Sequence, residues 1–141
     1  MTAKAKRQYH KDHAIHNNGA LKVINKGNKY LDWSITICFY TCLHAVKYKA
    51  FPLVFNVGTK KVTLDSFEDY CNYTRESGGS KHHKLCDLLN THYQEIASEY
   101  EQLMNMCMTS RYNNYIVDRD EANYAIELKE KIYSYCILYP T

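Results

Sequence analysis

A chain of 141 residues and 16.6 kDa has room for about one domain. Its 45% hydrophobic and 23% charged residues exclude a disordered or fibrous protein, and 14 Tyr with 6 Cys against 5 Gly and 2 Pro favour long regular elements over a turn-rich β-fold. The net charge of +3 is uneven: residues 1–29 carry seven Lys and Arg against Asp12 alone, leaving the remainder acidic. Such a basic arm either meets phosphates or serves as a solvated tail and helix face.

Residues 1–8 read as a flexible basic tail ahead of a single domain over 9–141. A first helix is expected from Tyr9 to Lys26, with Ile15, Leu21 and Ile24 on its narrow apolar face and Gly27-Asn28 as its stop. Asp32 then reads as the N-cap of a second helix, Trp33 to about Ala50, which is apolar on nearly every side and belongs at the centre of a bundle. Pro52 ends it. Residues 51–79 form a long excursion with a short helix or hairpin, closing in Ser77-Gly78-Gly79. Ser80 caps a third helix bearing Leu85, Leu88 and Leu89; a break near 90–92 is compatible with the pattern. Tyr93, Ile96, Tyr100, Leu103 and Cys107 then continue one helix face to about Ser110. Asp118 or Asp120 opens the last helix, whose buried side runs from Ala122 to Cys136. The expected fold is all-α: an antiparallel bundle of four to five helices with a long loop between the second and third.

The six cysteines contain no CxxC pair, and most fall within apolar helical patterns, where a thiol behaves as a small hydrophobe. With no secretory leader pattern behind the basic start, they read as reduced, and the protein as cytoplasmic. The longest uncharged apolar stretch, Trp33 to Val46, is shorter than the ~20 residues of a membrane span, so no membrane role is expected.

Two polar clusters stand out against this apolar background. His44 lies within Phe39-Tyr40-Thr41-Cys42-Leu43-His44 and is either a hydrogen-bonded core imidazole or one wall of a pocket. Ser110-Arg111-Tyr112-Asn113-Asn114-Tyr115 joins a guanidinium to amides and phenols at a helix end, a combination suited to a phosphate or a stacked base, or to pairing with an acidic neighbour. His10, His13 and His16 recur every three residues, a spacing that drifts around a helix, so no metal site is expected. GxxxxGK[ST], GxGxxG, HExxH and GxSxG motifs are all missing, and no cofactor is expected.

Asp32-Trp33 opening an apolar helix, Phe39-Tyr40 before Leu43-His44, Ser80-Lys81-His82 at a helix start, then Tyr100, Leu103 and Ser110-Arg111-Tyr112 together resemble the HEPN (higher eukaryotes and prokaryotes nucleotide-binding) superfamily over roughly residues 10–138. The resemblance implies a helical bundle that forms homodimers, found in toxin–antitoxin and antiviral defence proteins and in partners of nucleotide transferases. Many members are metal-independent endoribonucleases using an arginine and a histidine four to six residues apart at the dimer interface. Arg111 matches that arginine, while Ile116, Val117 and Asp118 stand where the histidine belongs. The expected function is therefore binding of RNA or a nucleotide, with dimerisation, through Arg111, Tyr112, Asn113 and Tyr40. The alternatives are an endoribonuclease with a rearranged site, His44 as base and Arg111 stabilising the phosphorane, and a structural homodimer or module binding a cognate partner protein.

Overall fold

The computed structural model describes residues 1–139. Helix α1 spans Ala3–Ile24, starting six residues before the expected Tyr9, so most of the stretch read as a tail is helix. Two interactions explain the early start. The Thr2 hydroxyl accepts from the Ala5 N–H at 3.1 Å, and Arg7 lies 4.0 Å over the Tyr48 ring while its Nε donates to the Tyr48 carbonyl.

Helix α2 spans Leu31–Ala50 and buries twelve of its twenty residues, among them Ile35, Cys38, Phe39, Cys42 and Val46. Its N-cap position is Tyr30, which makes no side-chain cap; Asp32, expected there, lies inside the first turn, where a carboxylate suits the positive helix end. The inward hydroxyls of Thr36 and Thr41 donate to the carbonyls four residues back, at 3.1 and 2.7 Å, so they enter the core satisfied. Arg7 meets Tyr48 and His10 meets His44, pairings of opposite sense that make α1 and α2 antiparallel.

The excursion carries both a hairpin and a helix. Strands β1 (Leu53–Val57) and β2 (Lys60–Leu64) pair antiparallel, with Leu53 opposite Leu64. Gly58, at φ 63°, makes the tight turn that a side chain would strain. Helix α3 (Phe67–Tyr73) follows, capped by Ser66, and ends against a buried cation: the Lys84 ammonium donates to the Thr74 carbonyl at 2.6 Å and hydroxyl at 2.9 Å. That lysine belongs to α4 (Lys81–His92), which Ser80 caps as expected.

Helix α5 (Gln94–Tyr112) starts after a break at Tyr93 and runs two residues past the expected Ser110. Helix α6 (Arg119–Tyr133) is capped by Asp118, whose carboxylate accepts from the Glu121 N–H at 2.8 Å, and leads into a π-helical turn over 134–138. Arg119 reaches back to Asn25, Gly27 and Asn28 with four hydrogen bonds, tying the α1–α2 turn to the start of α6. Among the described residues there are thus six α-helices and a two-stranded sheet, more helices than the four to five expected, because the excursion holds one and α4 and α5 are separate.

Helices α1, α5 and α6 all pack on α2, and α4 packs on α5. All six cysteines are free thiols; five are buried, and Cys71 is half-buried. Fully buried Tyr100 lies with its ring centroid 5.6 Å from that of Phe39, and its hydroxyl has no hydrogen-bond partner among the described residues. A stranded hydroxyl costs stability, so Tyr100→Phe is expected to raise the unfolding free energy by about 1 kcal/mol in urea denaturation. A loss of stability would show that the hydroxyl is satisfied.

Candidate functional site

Helix α2 is covered on most sides, and apart from Asp32, Leu43 and Lys49 its accessible side chains form one stripe. Trp33, Ile37, Tyr40, His44 and Lys47 alternate at steps of four and three, the spacing of a single helix face, and each is exposed or half-buried. Trp33, at the start of the stretch expected to be apolar on nearly every side, is 53% exposed.

The middle of the stripe is an imidazole cluster. His10 Nδ1 and His44 Nδ1 are 2.9 Å apart, and His13 stacks on His44 with ring centroids 3.8 Å apart. Tyr9 packs edge-on against all three rings. A short contact between two Nδ1 atoms requires one ring to donate and the other to accept, so the pair holds complementary neutral tautomers. One Nε2 of the pair is then a donor and the other an acceptor. Burial, and then the charge of Lys47, lowers the pKa of His10 from 6.5 to about 4; burial, then His13 and His10, lowers that of His44 to about 4 as well. Stacked rings do not converge on a point, and among the described residues no three His, Cys, Asp or Glu side chains form a group suited to a metal ion.

Lys47 joins this cluster to two hollows. On one side it borders a narrow recess with Lys6, Arg7 and His10, closed by Asp65 and Phe67. On the other it lines a cleft of about 170 Å³ with Glu68, Cys71, Lys81 and His82. Its ammonium stands 5.0 Å from the Phe67 ring centroid. Burial lowers its pKa, while the Glu68 carboxylate opposes that shift. Burial also lowers the pKa of His82, with Lys47 and His83 adding to the effect.

Arg111 occupies the last turn of α5, and its Nη1 donates to the Tyr40 hydroxyl at 3.0 Å. Tyr40 and His44 are one helical turn apart, so α2 sets Arg111 and the imidazoles on the same stripe without direct contact: the partners of His44 are His10, His13 and Tyr9. Of the other expected ligand residues, Tyr112 is 72% exposed beneath the Arg111 guanidinium, and Asn113 is the C-cap of α5, its N–H bonded to the Thr109 carbonyl. The residues that sequence reasoning misses are Lys47, three positions after His44 on its own helix, and the imidazole contacts of His10 and His13, whose three-residue spacing points only to the question of a metal site.

A search of protein-family models finds no match, and searches of curated proteins and of solved structures find none either. No helix among the described residues is long and apolar enough to cross a membrane.

The imidazole pair makes stability depend on pH with a definite sign. Unfolded histidine takes its proton near pH 6.5 and the folded pair only near 4, so within this window the unfolded state holds more protons. Stability is complete above pH 6.5 and falls as the pH drops toward 4. Thermal melts are expected to show a falling midpoint from pH 6.5 to 5, a range above ordinary carboxylate titration, and a weaker dependence in His10→Gln. A midpoint flat across that range in the unaltered chain would contradict the buried neutral pair.

Proposed function

We propose that this chain is an HEPN-like helical protein that binds RNA or a nucleotide on the open stripe of α2. The observation that carries the reading is the Arg111–Tyr40 hydrogen bond, which sets a guanidinium one turn from the His10–His44 pair and two turns from Lys47. Tyr40 to Lys47 spans about 10 Å of helix, room for successive phosphates of one strand. Lys6, Arg7 and Lys11 on α1 extend the positive charge. Half-buried donors hold an anion better than the same groups in open water, because the effective dielectric is lower.

An antiparallel HEPN-type bundle, a homodimer, a reducing cytoplasmic setting and a place in toxin–antitoxin or antiviral defence belong to the same reading. Six unpaired thiols are consistent with the setting. A second reading is favoured by the neutral imidazole pair: a neutral imidazole beside Lys47 and near Arg111 is a general base next to phosphate-stabilising cations, which suits metal-independent cleavage of bound RNA. RNA left intact on a denaturing gel after incubation in EDTA would remove that second reading.

Binding itself is tested by fluorescence anisotropy of a labelled single-stranded oligouridine over a range of salt concentrations. Affinity is expected to fall with salt at a log–log slope of about −0.7 per phosphate engaged, and Lys47→Ala to reduce that slope by about 0.7. Binding that is insensitive to salt, or unchanged in Lys47→Ala, would place the ligand elsewhere.

A further inference from the structure

We infer that the cleft between the first turn of α2 and the α5–α6 connection is a pocket for an unpaired guanine base, an inference that rests on the RNA-binding reading and names the substrate class. The cleft has a volume of about 240 Å³ and is lined by Asp32, Trp33, Thr36, Ser110, Arg111 and Tyr115. Drug-sized ligands fill about 300–1,000 Å³, so this cleft suits a single planar ring system. Trp33 and Tyr115 leave 53% and 73% of their surface in water. Two exposed aromatic side chains flanking one cleft provide the surfaces on which unstacked bases of single strands pack.

The polar groups select among planar ligands. Asp32, in the first turn of α2, lines the cleft, and its negative charge there disfavours a phosphate and favours N–H donors. Arg111, oriented through its bond to Tyr40, supplies donors for carbonyl and ring-nitrogen acceptors. Guanine carries adjoining N1–H and N2–H donors for a carboxylate, and O6 and N7 acceptors for a guanidinium. Uracil has its single N3–H between two carbonyls and lacks the amino group. A base held in a duplex hides its donor edge, so the pocket takes single-stranded RNA. Phosphates then run along Tyr40, His44 and Lys47 while a guanine inserts beside Trp33, at the far end of the same stripe.

Trp33 is the sole tryptophan, so intrinsic emission reports on the pocket directly. The full chain is titrated with GMP and with UMP, and in parallel with labelled oligouridine followed by anisotropy. GMP is expected to quench Trp33 saturably at about tenfold lower concentration than UMP. Asp32→Asn is expected to remove that preference, and Tyr115→Ala, at an exposed position, to weaken both nucleotides. Equal quenching by GMP and UMP, or none by either, overturns the pocket; if oligouridine still binds, the phosphate-binding stripe stands without it. Quenching by GMP with no binding of oligouridine supports the pocket and overturns the reading of the stripe.

Discussion

Helix α2 must be covered on almost every side, and the rest of the molecule follows from that need. A helix carrying Leu31, Ile35, Cys38, Phe39, Cys42, Val46 and Tyr48 around most of its circumference gains about 1.5–3 kcal/mol for each large side chain taken out of water. Helices α1, α5 and α6 supply the cover. Covering helices meet imperfectly, and the seam they leave is the stripe from Trp33 to Lys47. The same burial that stabilises the fold therefore determines where polar side chains can be only half-desolvated.

That half-desolvation gives the stripe its chemistry. In open water His10 and His44 would titrate near neutrality; in the seam they stay neutral and share one proton between their Nδ1 atoms. Arg111 is anchored by a tyrosine and forms no ion pair among the described residues, so its charge remains available to a ligand. The proposed HEPN resemblance implies a histidine closely following the arginine; Ile116, Val117 and Asp118 stand at those positions. The His10–His44 pair, contributed by α1 and α2, shares the stripe with Arg111's anchor Tyr40 without touching the guanidinium.

The parts legible in the sequence are those decided locally. Ser80 and Asp118 cap their helices because a side-chain oxygen three residues before a free N–H is a local event, and the apolar circumference of α2 is visible by inspection. The early start of α1 rests on the local Thr2 cap and also on Arg7 reaching Tyr48, 41 residues away, a contact that local pattern does not show. The meeting of His10 and His13 with His44 needs the antiparallel packing of α1 on α2, which periodicity alone does not register. Lys84 holding Thr74, and Arg119 holding the α1–α2 turn, are likewise tertiary contacts hidden in ordinary basic residues. Arg111 and Tyr40 were both legible as polar groups in suspicious places, but their hydrogen bond was not.

In the proposed function, a neutral His10–His44 pair and Lys47 form a phosphate-binding seam on α2. Long-range proton–nitrogen NMR correlations of the imidazole rings at neutral pH, recorded before and after addition of oligouridine, test it most directly. Opposite neutral tautomers are expected for His10 and His44, with both rings shifting as the RNA binds. Two protonated rings at neutral pH, or imidazole signals that stay in place while the RNA binds, would contradict it.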